Sequence, residues 1–188
     1  MEWLYSIIDT ITNTNNWSVD SVLSAISVLL MIVGGFFAYK QWTSANKIRR
    51  SEFINQIIAK LRFDKSTVDT MYMLEYDHEW YNEEFHDADN EIEFNVDKLL
   101  SYLSYICYLY ELKNISKKEF KILRYEVNRA CSSLSVQGYL WNLYHFSKKQ
   151  GTECTFQYLI SYGIKNKIIN KKIFYCKEST FYPKYLNF

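Results

Sequence analysis

Proline is almost missing from this chain: there is one in 188 residues, alongside five glycines and three histidines. So little turn chemistry excludes an all-β sandwich or barrel, whose frequent reversals need such residues, and it favours helix. Three histidines leave little room for histidine-based catalysis or a multi-histidine metal site. A charge excess is lacking too. Lys and Arg number 22 against 21 Asp and Glu, a formal net charge of +1, so global charge demands no polyanionic partner. No P-loop, dinucleotide fingerprint, GxSxG elbow or HExxH motif occurs, and the expectation is a non-enzymatic protein without cofactor or metal. Cys107, Cys131, Cys154 and Cys176 have neither CxxC spacing nor zinc-like histidine intervals, and they read as free thiols in a reducing compartment.

What the chain does have is one long uncharged run. From Ser21 through Tyr39 it reads SVLSAISVLLMIVGGFFAY, with Asp20 and Lys40 as the nearest charges. About 20 residues at ~1.5 Å each match a hydrocarbon core of about 30 Å, so this predicts a transmembrane helix over 17–42. Trp17 and Trp42 stand just outside its ends, at headgroup level. A buried core helix is the competing reading, but such helices rarely run so long without a polar face. The N-terminal side carries Glu2, Asp9 and Asp20 and no Lys or Arg, which suits an anchor better than a cleaved leader. Lys40, Lys47, Arg49 and Arg50 crowd the exit, so the orientation expected is N-terminus periplasmic and residues 43–188 cytoplasmic, at a bacterial inner membrane.

Within the run, Ser21, Ser24, Val28, Met31, Gly35 and Ala38 recur at intervals of three and four, placing mostly small side chains on one face. Small faces let membrane helices approach closely, so these residues are the candidate oligomerisation or pore face. Such residues are also common in ordinary membrane helices. Upstream, Trp3, Leu4, Ile7, Ile8 and Ile11 have helical spacing, which predicts an amphipathic segment over 1–16 that either lies in the outer interface or packs against neighbouring copies. Ser18 or Asp20 can cap the span.

Beyond Lys40 neither Pro nor Gly interrupts the chain before Gly138, so the span is expected to continue helically toward Asp64, with Ile54, Ile57, Ile58 and Leu61 inward. A helix from Ser66 to about Trp80 follows, with Val68, Met71, Tyr72 and Leu74 inward. The acidic stretch NEEFHDADNEIEF reads as a loop, after which Asn95 can cap a helix carrying Val96, Leu99, Leu100, Leu103, Ile106 and Tyr110. Ser116 with Glu119 is a capping-box signature ahead of Phe120, Leu123, Val127, Cys131 and Leu134. Gly138 is expected to bend or divide that helix, Gly151 to stop it, and a last helix to cover about Thr155 to Ile169. The fold class expected is therefore all-α, one N-terminal transmembrane helix followed by a helical bundle. The aromatic, basic tail is open to three forms: a hairpin, a docked loop or a partner-binding strand.

Two charged regions have competing readings. His78 and His86 sit among Glu75, Asp77, Glu79, Glu83, Glu84, Asp87 and Asp89, yet no Gly-bearing calcium loop is present and a solvated acidic loop is the simpler account. The tail mixes Lys165, Lys167, Lys171, Lys172, Lys177 and Lys184 with Phe174, Tyr175, Phe181, Tyr182 and Tyr185, as RNA-stacking or anionic-lipid surfaces do. Packing between copies, against the acidic loop, is the simpler reading.

Taken together, MEWLYSIIDTITNTNN, the single span, QWTSANKIRRSEF, NVDKLLSYLSYICYLYELKN and SKKEFKILRYEVNRACSSL form an arrangement that resembles the small transmembrane accessory proteins of type VI-B CRISPR systems. It is also similar to a broader set of bacterial proteins with one span and a helical cytoplasmic domain. The resemblance implies a homo-oligomeric, ring-like membrane pore that enhances antiphage defence beside an RNA-guided RNA nuclease. It also implies a divergent HEPN motif, an Arg followed after four to six residues by a His. Arg49, Arg50, Arg62, Arg124 and Arg129 have no His at that spacing, and Arg129 and His145 can meet only through tertiary folding. A membrane-tethered degenerate RNase and a recruiting scaffold are the alternatives to the pore.

Overall fold

Ser18 opens the first helix, its hydroxyl accepting the Ser21 amide at 3.3 Å and satisfying a donor the helix cannot. Helix α1 then runs over Val19–Arg62, 44 residues, as the lack of breakers beyond Lys40 anticipates. This computed structural model describes residues 5–6, 9, 18–76, 80–82, 85 and 91–182. The segment expected at 1–16 lies outside them except for Tyr5, Ser6 and Asp9, which are helical; Trp17, His78, His86, most of the acidic loop, Lys184 and Tyr185 lie outside entirely. The chain forms two compact units, Met1–Phe53 and Ile54–Phe188. Among the described residues six further helices follow: α2 (Lys65–Tyr76), α3 (Glu91–Glu111), α4 (Lys117–Ser132), α5 (Leu134–Gln150), α6 (Gln157–Lys165) and α7 (Lys171–Phe174). Among the described residues there is no strand, and the fold is all-α: one long apolar helix, then a bundle.

In the second unit, the end of α1 buries Ile54, Ile57 and Leu61. Asp64 turns the chain into α2: its carboxylate accepts the Thr67 amide at 3.0 Å and the Lys60 ammonium at 2.5 Å. The Lys60 contact, with the Thr67 bonds behind it, holds the Asp64 carboxyl down at about 2. A carboxyl depressed on folding stabilises the fold fully above its unfolded value near ~3.9, and loses that contribution as pH falls through its folded value. The melting temperature of Asp64→Asn is therefore expected to lie below that of the parent at pH 6 and to converge on it as pH approaches about 2. A gap that stays constant across this range would show that the charge of Asp64 has no role.

Helix α3 is the centre of the bundle, packing on α2, α4 and α6. It buries Val96, Leu99, Leu100, Leu103 and Ile106 at helical spacing. It begins four residues before Asn95, because Glu91 and Glu93 in its first turn complement the helix dipole. Asn95 is thus not a cap; its side-chain oxygen accepts the Ser66 hydroxyl at 3.1 Å. The helix expected to reach about Trp80 is described over Lys65–Tyr76, residues 77–79 lie outside the described ones and Trp80 is not helical; Tyr72 is exposed rather than inward. Trp80, Tyr81 and Phe85 instead form an aromatic cluster around Tyr139, with centroids 6.2, 5.3 and 5.2 Å away. The Tyr139 hydroxyl donates to Asp97.

The capping box at Ser116 and Glu119 is formed, the Glu119 carboxylate accepting the Ser116 amide at 2.8 Å. The division expected at Gly138 falls at Ser133 instead. Ser133 has an extended backbone and accepts the Val136 amide on its hydroxyl at 3.4 Å, so one serine ends α4 and starts α5. The Gln137 amide donates to the Cys131 carbonyl at 2.8 Å and meets one of the acceptors this break strands. Gly138 is buried within α5, and Leu134, expected inward, is exposed. Gly151 ends α5 with φ 71°, a left-handed cap that glycine adopts without strain.

Helix α6 stops at Lys165, four residues short of Ile169, because the chain folds back over Gly163. The Ile169 amide donates to the Gly163 carbonyl at 3.1 Å, and a Cβ on Gly163 would lie 2.6 Å from Ile169 Cδ1. The tail is docked. After the single turn of α7, Phe174 and Tyr182 are buried, and the Tyr182 hydroxyl donates to Gln137 Oε1 at 2.9 Å. Neither the hairpin nor the strand form appears in the described part of the tail, which ends at Tyr182.

Candidate functional site

The first unit, Met1–Phe53, contains the apolar part of α1. Its side chains have no cover: Leu23, Leu29, Leu30, Met31, Ile32 and Phe37 are each more than half exposed, and no part of the most apolar window is buried. This is one helix long and apolar enough to cross a membrane. Ser21, Ser24, Val28, Met31, Gly35 and Ala38 fall within an arc of about 100° at 3.6 residues per turn, whereas Leu23, Ile26, Leu30, Val33 and Phe37 take the opposite side. All six residues of the first set are exposed. A Cβ at Gly34 or Gly35 would meet nothing within 4 Å, so neither glycine is required by contacts inside one copy. Two hydroxyls near this face have partners within the same helix end or turn: Ser21 lies 3.0 Å from the Ser18 hydroxyl, and Ser27 donates to the Leu23 carbonyl at 2.9 Å.

At the far end, Trp42 is exposed and lies 6.3 Å from the Tyr39 ring, while the Lys40 ammonium sits 5.1 Å over Phe36. Lys40 can thus lay its stem along apolar surface with its charge at the boundary. Lys47, Arg49 and Arg50 are exposed on the following turns.

In the second unit, Arg129 and His145 have separate partners. Arg129 pairs with Glu75 and lies 4.8 Å over the Tyr72 ring, with Tyr76 stacked beyond it. His145 Nε2 lies 3.1 Å from the Phe174 carbonyl, and its ring packs 4.8 Å from Trp141. The four cysteines carry free thiols. Burial pushes Cys131 up to about 12 and Cys107 well above the usual thiol range. Among the described residues no group of three His, Cys, Asp or Glu side chains is placed to hold a metal ion.

One feature lies outside the sequence expectations, a cavity of about 690 Å³ bordered by α3, α4 and α6. The signal available for it was the spacing of Lys117, Lys121 and Arg124, which puts three cations on one face of α4. Comparison with protein-family models, curated proteins and solved structures returned no match.

Proposed function

We propose that this chain is a single-pass inner-membrane protein, N-terminus periplasmic and helical domain cytoplasmic, whose copies assemble around a water path and lower the membrane barrier. The observation that carries this reading is α1 itself, an uncovered apolar helix with mostly small residues on one side and bulky ones on the other. One helix satisfies its own backbone and presents a mostly apolar surface, so several copies must surround any pore. In the cell we assign it the role that its resemblance implies, an effector that strengthens RNA-targeting CRISPR defence beside an RNA-guided nuclease. The separate partners of Arg129 and His145 favour this over the tethered RNase.

Cells carrying the protein, the nuclease and a matching phage are expected to lose membrane potential during infection, read with a depolarisation dye alongside RNA integrity. A cytoplasm-active reporter fused after Phe188 is expected to give signal. Normal potential, together with RNA cleavage that vanishes in a well-folded Arg129→Ala, His145→Ala double variant, would overturn the pore and favour the nuclease. Signal only from a periplasm-active reporter would reverse the orientation.

A further inference from the structure

The cavity between α3, α4 and α6 has an unusual balance of charge. Lys117, Lys121, Arg124 and Lys165 line it against one carboxylate, Glu111. Neither Lys117 nor Lys121 has an ion-pair partner among the described residues, and both are exposed. The placement is locally unfavourable. Lys117 and Lys121 repel each other one turn apart, and both lie in the first turns of α4, where the helix dipole favours anions. An anion seated between them would relieve both effects. Glu111 does not fill that role: it sits at the rim, 3.2 Å from Lys165, with both side chains about half exposed or more.

The walls say what kind of anion. Tyr110 is stacked on Phe120 with centroids 4.1 Å apart and planes 16° from parallel, and Tyr158 lies 4.7 Å from Tyr108. Tyr110 and Tyr158 are half-buried, so each leaves part of its ring facing the cavity. Tyr162 is fixed by its hydroxyl, which donates to Asn128 at 2.9 Å. Flat π-faces beside a cluster of cations suit a planar base joined to phosphate, and about 690 Å³ lies within the range of small-molecule sites, roughly 300–1,000 Å³. A bare phosphate or a lipid headgroup has no use for the rings.

We propose that this cavity binds a nucleotide, with Lys117, Lys121 and Arg124 on the phosphates and Tyr158 against the base. The site is independent of the membrane reading, since every lining residue belongs to the helical domain. The test is calorimetric titration of the full chain in detergent with ATP, GTP, AMP and inorganic pyrophosphate, and separately of the chain in nanodiscs with and without phosphatidylglycerol. A purine nucleotide is expected to bind at least tenfold more tightly than pyrophosphate. Lys121→Gln, an exposed change that leaves the core intact, is expected to weaken ATP at least fivefold. Tyr158→Leu is expected to weaken ATP and leave pyrophosphate unchanged. Lys148→Gln, outside the cavity on α5, is expected to change neither. Four results would overturn the site: no nucleotide binding, pyrophosphate binding equal to ATP, equal loss in Lys148→Gln, or binding confined to phosphatidylglycerol.

Discussion

Replacing Tyr139 with Ala is expected to cost about 3–5 kcal/mol of unfolding free energy, the range for deleting a large buried ring. Set against a typical domain stability of about 5–15 kcal/mol, this removes a large part of the margin that keeps the domain folded. The reason lies in how many elements meet on that ring. Tyr139 is 1% exposed and touches Trp80, Tyr81 and Phe85 from the segment after α2, and Phe156 from the start of α6. Its hydroxyl reaches Asp97 on α3. Tyr139→Phe separates the two contributions: it keeps the ring and removes only the hydroxyl's bond to Asp97, and is expected to cost about 1–3 kcal/mol. Urea unfolding followed by tryptophan fluorescence on the full chain in detergent measures both. If Tyr139→Ala costs less than Tyr139→Phe, the cluster is not what holds these elements together.

Gly35→Leu and Ser24→Leu are expected to weaken self-association by about tenfold or more each, ~1.4 kcal/mol per contact, and to abolish depolarisation in infected cells together. Both changes keep the helix apolar, and Leu is a better helix former than Gly, so insertion is expected to be unchanged. A side chain at Gly35 has open space within its own copy, which makes any loss of assembly an effect between copies. Leu30→Ala on the bulky side serves as the control and is expected to leave association intact. Oligomer mass in detergent and the membrane-extracted fraction are the two readouts. An unchanged mass for both leucine variants removes this face from the interface.

The features legible in the sequence are those whose physics is local. The long apolar helix follows from length and missing charge, the capping box from two residues three apart, and the Gly151 stop from a single left-handed position. Where reading failed, distant partners decide. Gly138 is the weaker helix former, yet the chain breaks at Ser133, where a hydroxyl caps the new helix and Gln137 supplies a donor. Asn95 is a good cap that is used instead by Ser66 across a helix pair. Tyr72 belongs to an apolar pattern but turns outward to lie under Arg129. The candidate pore face was readable as a helical register alone. The cavity was not, because Tyr158 and Lys165 join Lys117 and Lys121 only after α6 packs against α3.

The docked tail has a consequence for the order of synthesis. Phe174 and Tyr182 complete the packing around α5, yet they leave the ribosome after the apolar helix and after the rest of the bundle. At about 5–20 residues per second, roughly seven to thirty seconds separate the two. Through that interval Trp141 and Gln137 lack only their contacts with Tyr182, and the nascent domain exposes the surface that holdase chaperones recognise. A chain truncated before α7 would carry its apolar helix with an unsealed domain, and is expected to be cleared by proteases faster than the parent, as a pulse-chase of the two would measure.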